Sequence, residues 1–324
     1  MDLHGVRELV RPVDESEIPA WQPGDAYVAG GTWLFSERQP GVTRLVDLSG
    51  LPWRPILGGV GDAEVVDLRL AGTCTYRDLE RAQMGEAAAP AGAAPAAAAP
   101  GKPAVHAAHR SPGAPGTPNA HLPLGTPGPL GTLGPLLAAA VRSLSSSFKT
   151  WEVATVGGNL CLAYAKSMMA PVMIAARATY RLLSPAADGA PAAERLVPAE
   201  DFQTGVCRTI RRPGEYLREV IIPAGSLTGR YALERLSYTP TSHATGLVIA
   251  RRGSAPALLV SAATAFPVAR SMPAESDEQA VRAAVLELLD SAPALDDAHG
   301  GAAYRRQVLP ELAWRAWRRA GEEA

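Results

Sequence analysis

Cysteine is scarce in this chain of 324 residues: Cys74, Cys161 and Cys207 are far apart and form no C-x-x-C pair. An odd, scattered set fits reduced thiols in a cytoplasm better than a disulfide framework. It also excludes a four-thiolate iron–sulfur site, so any such cluster belongs to another chain. No run approaches the ~18 apolar residues that a spanning helix needs. The stretch Met1 to Arg7 has no apolar core, so no secretory signal is expected and a cytoplasmic location is. Neither sign of charge dominates: 31 Lys and Arg stand against 32 Asp and Glu, which leaves nothing to attract nucleic acid or an anionic membrane. The dinucleotide motif G-x-G-x-x-G and the phosphate loop G-x-x-x-x-G-K are both missing. No acid–base, nucleophile or metal constellation stands out.

What is present is glycine in two matched settings. Ala154-Thr155-Val156-Gly157-Gly158-Asn159-Leu160 sits mid-chain behind an apolar lead-in, and Val28-Ala29-Gly30-Gly31-Thr32 echoes it far upstream. Glycine reaches φ > 0 without penalty and lets another group come close to the main chain. Consecutive N–H groups in such a turn form a nest for anionic oxygens, and a flanking Thr or Asn adds side-chain groups. Two such turns point to two loops closing on one ligand, with two ordinary tight turns as the alternative. Upstream, the order is a strand at Ala26-Tyr27-Val28, the glycine turn, then a short helix capped by Thr32 through Trp33-Leu34-Phe35. That order puts N–H groups at a helix start, where anions are favoured.

About two domains are expected from the length. Residues 1–57 read as short strands and turns, with Leu45-Val46-Asp47-Leu48 a strand. Val66, Leu68 and Leu70 alternate with Asp67 and Arg69 as a half-buried strand, and Thr75 with Asp78 forms a capping box for a helix to about Gln83. Met84 to Pro135 is Ala, Pro and Gly with hardly any charge, which reads as a flexible surface insertion. His106, His109 and His121 inside it read as incidental loop histidines. Helices are expected at Leu136 to Val141 and Ala170 to Ala175, strands at Thr179 to Leu183 and at Tyr216 to Ile222, and a loop from Leu196 to Phe202. The last hundred residues predict three antiparallel strands, Tyr231 to Leu236, Leu247 to Arg251 and Ala257 to Ala262. A helix capped by Ser276 and Gln279 follows, then a terminal helix that Pro310 kinks or restarts. Trp314 and Trp317 beside several Arg residues read as packing with a solvated basic face.

Taken together, the two glycine motifs, Gly214-Glu215-Tyr216-Leu217 before an Ile-Ile-Pro strand end, and Asp297-Ala298-His299-Gly300-Gly301-Ala302-Ala303-Tyr304-Arg305-Arg306 form a pattern. It resembles the FAD-binding (medium) subunit of the molybdenum hydroxylases, the family of xanthine dehydrogenase and aerobic CO dehydrogenase. The likeness covers nearly the whole chain apart from the insertion. It implies an α+β fold: a two-subdomain FAD-binding fold of the vanillyl-alcohol-oxidase (PCMH) type plus a C-terminal three-stranded antiparallel sheet with helices. The implied boundaries are 1–57 and 58–224 for the FAD-binding subdomains, the second holding the insertion 84–135, and 225–324 for the C-terminal domain. By the same resemblance, Val28, Ala29, Gly30, Gly31, Thr32 and Trp33 form one half of an FAD diphosphate cradle. Ala154, Thr155, Gly157, Gly158, Asn159 and Leu160 form the other half. Leu217 would pack near the flavin ring, and Arg235 stands where the family often carries a basic residue.

Two positions depart from the family pattern: Trp33 and Met168 stand where an Asp is common. Losing a carboxylate acceptor at Met168 costs binding about 1–3 kcal/mol unless Ser167 or a main-chain carbonyl substitutes. The resemblance implies no catalytic side chain here; the cofactor carries the chemistry. Molybdopterin and a 2Fe-2S cluster are expected only on partner subunits, an iron–sulfur and a molybdenum-cofactor subunit, with electrons passing through FAD to NAD, oxygen or another acceptor. Two further readings stay open. One is a stand-alone reductase of the enolpyruvyl-glucosamine type on the same FAD fold, and the other is a flavin-free scaffold that kept the fold.

Overall fold

The computed structural model describes residues 3–61, 64–85, 128–142, 148–186, 192–239 and 242–322. Most of the expected insertion, with His106, His109 and His121, lies outside the described residues. Its last part does not behave as an insertion: Gly131–Leu133 is a 3-10 turn, and Leu130 and Leu133 are fully buried. These two leucines anchor the return of the chain into the core.

Three sheets organise the rest. The first is parallel, with β3 (Arg44–Asp47) between β1 (Glu8–Val10) and β2 (Asp25–Val28). The glycine turn Gly30-Gly31 therefore leaves the carboxyl end of a parallel strand, the end where α/β sheets hold ligands. No helix follows it. Thr32 to Ser36 form overlapping turns, in which the Phe35 N–H donates to Gly31 O (2.9 Å) and the Ser36 N–H to Trp33 O (2.9 Å). The expected Thr32 cap is thus corrected: too few residues repeat the bond to cover the cost of helix nucleation.

The second sheet is antiparallel, in the order β4 (Ile56–Val60), β5 (Val65–Ala71), β10 (Tyr216–Ile222), β6 (Thr179–Ser184), β7 (Ala193–Pro198). The stretch expected as a loop at Leu196 to Phe202 is instead the end of β7 and the short helix α6 (Ala199–Phe202); burial of Val197, Ala199 and Phe202 outweighs the turn-like composition. A two-stranded ribbon, β8 (Gln203–Gly205) and β9 (Arg208–Thr209), follows. Helices α1 (Tyr76–Gln83), α2 (Gly134–Arg142), α3 (Phe148–Val153), α4 (Val156–Leu162) and α5 (Met169–Ala175) complete this part. The capping box of α1 is present: the Asp78 N–H donates to Thr75 Oγ1 (3.1 Å) and the Thr75 N–H to Asp78 Oδ2 (2.9 Å). Apolar on all sides in sequence, α5 is buried along its whole length, packed between α2, α4 and the third sheet.

That third sheet has four antiparallel strands, not three: β11 (Arg230–Leu236), β12 (Gly246–Arg252), β13 (Ala257–Ser261) and β14 (Val268–Ser271). The fourth is a short edge strand, half-exposed and without the apolar run that marks its neighbours. The run Leu247-Val248-Ile249-Ala250 is buried on both faces. Leu247 and Ile249 join the core shared with α5, while Val248 and Ala250 join a second core under α7 (Glu278–Asp290) and α8 (Ala302–Gly321). A period of two explains the split.

Two helix-boundary expectations are also corrected. Asp277, not Ser276, caps α7, accepting from the Ala280 N–H (2.8 Å). Pro310 does not interrupt α8. Burial of Leu309, Leu312 and Trp317, each worth roughly 1.5–3 kcal/mol, outweighs the ~3 kcal/mol that an interior proline costs. Trp317 is buried, with the Arg252 guanidinium 4.3 Å above its ring, as expected of packing rather than a partner surface. No helix among the described residues is long and apolar enough to cross a membrane.

Candidate functional site

The two glycine motifs meet where Gly30 backs onto Val153 and Ala154, and a third glycine, Gly72, holds the second motif in place. The Gly157 N–H donates to Gly72 O (3.0 Å), the Val156 N–H to Cys74 O (2.8 Å) and the Tyr76 N–H to Ala154 O (3.0 Å). This stitches α4 to the loop between β5 and α1. Thr155 caps α4, its Oγ1 accepting from the Gly158 N–H (3.0 Å). A Cβ on Gly30 would collide with the carbonyl oxygen of Val153, and one on Gly157 with Gly72 O, so both glycines serve close backbone crossings.

The N–H groups of Val156, Gly157, Gly158 and Asn159 are therefore spent within the protein. Those of Gly31, Thr32 and Trp33 are not: they donate to no protein acceptor among the described residues, and Gly31 sits at φ +66°. Between the motifs lies a cavity of about 750 Å³. Val28, Ala29, Gly30, Gly31, Thr32 and Trp33 line one side, and Ala154, Thr155, Gly157, Gly158 and Asn159 face them, with Leu217 nearby. Leu160 lies behind this wall in the core. Arg235 does not line the cavity; it braces the following loop, donating to Ser237 Oγ (2.8 Å) and to Ser242 O.

Several lining residues carry no motif. Tyr27 packs against Trp21 (5.0 Å between ring centroids) and edge-on against Tyr216 (5.3 Å), which stacks on Trp53 (6.0 Å). Burial holds the Tyr27 and Tyr76 hydroxyls above the ordinary phenol range and pushes Tyr216 up to about 12, so this wall stays uncharged. Arg211 donates through Nη1 to Glu215 O (3.0 Å). Three buried donors on lining residues lack a protein partner: Gln39 Nε2, Trp53 Nε1 and Arg211 Nε. Each unmade bond of this kind costs about 1–3 kcal/mol. His243 lines the rim, edge-on to His299 (5.3 Å) and Tyr164 (5.6 Å). Burial, then His299, Lys166 and Arg235, lower its pKa and keep it neutral near pH 7. An aromatic next to a glycine turn could have flagged Tyr27; nothing local in sequence marks Gln39, Arg211 or His243.

Ser167 and Met168 stand behind the site. Ser167 Oγ donates to Asn159 Oδ1 and accepts from the Met169 N–H (3.2 Å), while the Met168 side chain is buried in the core. Ser167 thus orients a motif residue, and neither it nor Met168 lines the cavity.

A glycine turn at the carboxyl end of parallel strands, facing an aromatic-walled cavity with unmade donors, defines a protein built to hold a large, acceptor-rich cofactor. Residues 129–225 match the FAD binding domain in molybdopterin dehydrogenase. No curated protein matches the sequence. Among solved structures, a chain of the carbon monoxide dehydrogenase from Hydrogenophaga pseudoflava is similar over 98% of this chain and 97% of its own, at 17% identity and a TM-score of 0.66. A chain of quinoline 2-oxidoreductase from Pseudomonas putida 86 is similar over 99% and 98%, at 18% identity and a TM-score of 0.66. At such identity these likenesses establish the fold. FAD fits the cavity by the chemistry of its lining: a diphosphate suits the free N–H groups of the first turn, and a planar ring suits the aromatic wall of Tyr27, Trp53 and Tyr216.

Proposed function

We propose that this chain is the FAD-carrying subunit of a heteromeric molybdenum-containing dehydrogenase, passing electrons from an iron–sulfur partner through FAD to NAD or another acceptor. The observation that carries this reading is the cavity joining both glycine turns, with the N–H groups of Gly31, Thr32 and Trp33 free on one side of it. The match of residues 129–225 supports it. Gly31, Thr32 and Trp33 hold the diphosphate through their N–H groups. Gly157 and Gly158 shape the opposite wall, with Thr155 and Asn159 fixed beside them. Tyr27, Trp53 and Tyr216 exclude water, and Leu217 packs near the ring. Bound FAD supplies exchange of electron pairs with one acceptor and single electrons with another. Substrate oxidation belongs to the molybdenum subunit, so the chain alone is inactive in hydroxylation. We take 1–57, 58–224 and 225–324 as its domains, each holding one of the three larger sheets but for β4, which opens at Ile56, and a cytoplasmic location fits its chemistry.

Absorbance of the purified chain tests the reading. Flavin bands, one FAD per chain, and a melting temperature that rises with added FAD are expected; at a hundredfold excess over Kd the gain is about 2.7 kcal/mol. A colourless chain that takes up no FAD overturns it in favour of a scaffold. Co-purification with iron–sulfur and molybdenum subunits is expected. Turnover of its own substrate with a nicotinamide alone would favour a stand-alone reductase.

A further inference from the structure

A second cavity, of about 560 Å³, shares no lining residue with the first. It opens where the end of α5 and the start of α6 meet β12, β13 and β14. Ile174, Ile249 and Leu259 line it together with three arginines, Arg177, Arg251 and Arg270, and one carboxylate, Glu200, which pairs with none of them. Arg251 is held rigidly, with Nε donating to Ala255 O (2.6 Å) and Nη1 to Ala175 O (2.7 Å). Neither arginine forms an ion pair with a carboxylate among the described residues, whereas Arg270 on the same cavity pairs with Glu287. Arg177 also holds φ +55°, just past the end of α5, a left-handed position where helices ordinarily place glycine. The sequence keeps an arginine there despite the strain, and strain of this kind gathers at functional positions.

We propose that this cavity binds a small organic anion, a phosphate or carboxylate on an apolar body, with Arg177 and Arg251 taking the charge and Ile174, Ile249 and Leu259 the body. A guanidinium offers a planar fork suited to either oxyanion. Burial lowers the Arg251 pKa and Arg177 adds to the effect, while Tyr231 and the lining carboxylate of Glu200 oppose it. The volume lies within the range of ordinary metabolite pockets.

Calorimetric titration of the FAD-saturated chain with phenyl phosphate and, separately, benzoate tests it, since saturating FAD keeps the probes out of the first cavity. Saturable one-to-one binding of either probe, weakened by added salt, is expected, and the stronger of the two identifies the anion. Arg177→Gly suits the left-handed backbone and should fold well while weakening the probe about tenfold; Arg251→Met should weaken it further. No saturable binding of either probe, or an affinity unchanged in Arg177→Gly, overturns the proposal.

Discussion

Single residues decide whether the first cavity closes. Gly30 backs directly onto the Val153 carbonyl, so a methyl group has nowhere to go except by parting the two glycine motifs. Gly30→Ala should cost about 1–3 kcal/mol in urea unfolding and lose FAD binding, because the displaced atoms are backbone on both sides. Gln39 tests the opposite situation. Its Nε2 is buried without a partner, so Gln39→Met removes an unmet donor at similar volume. The chain without FAD should keep its stability within ~0.5 kcal/mol, whereas FAD affinity should fall about tenfold, the worth of one ordinary hydrogen bond. A stability loss matched by unchanged affinity would place Gln39 in the framework instead. The glycine pairs were legible in sequence because few residues tolerate such crossings. Gln39, Trp53 and Arg211 were not, because a donor becomes unmet only when the fold has removed its alternatives.

At the scale of elements, α4 shows a motif used differently from its sequence appearance. Read as a chain of free N–H groups, the run from Thr155 to Asn159 is instead capped by its own threonine and tied to Gly72 and Cys74. Thr155→Val should therefore cost about 1 kcal/mol in chemical denaturation, the typical worth of an N-cap, by freeing the Gly158 N–H. The capping box of α1, the strand β10 closed by Pro223 and the helix α5 were all readable, since each rests on a local signal. The strand β14, the turn after Gly31 and the unbroken α8 were not. In each, packing or its lack overrode local propensity, which spans only a few kcal/mol even for proline.

Across the whole molecule, one charged network ties the central part to the C-terminal sheet. Lys166 Nζ lies 2.8 Å from Asp297 Oδ2, and Asp297 Oδ1 accepts from Arg305 Nη2 (3.0 Å) and the His299 N–H (2.8 Å). Arg305, fully buried, also donates to Thr245 O (2.7 Å) and Leu295 O (2.6 Å). Burial pushes the Asp297 carboxyl up, but Lys166, the His299 N–H and Arg305 outweigh it and hold it below the usual carboxylate range. A lowered folded pKa gives stability that is present above the unfolded value of ~3.9 and lost as pH falls through the folded value. Urea unfolding of Asp297→Asn should show a deficit at pH 7 that shrinks toward pH 3; a deficit independent of pH would mean the carboxylate charge is not what counts. Sequence by itself determined the two glycine turns, the apolar runs that become strands and helices, and the family likeness, because those depend on near neighbours in the chain. Only the tertiary structure decided that Gly31 to Trp33 keep their N–H groups free while Val156 to Asn159 spend theirs, and that Gln39, Trp53 and Arg211 share a cavity with both turns. Which partners a polar group finds depends on residues more than a hundred positions away, and no local pattern carries that information.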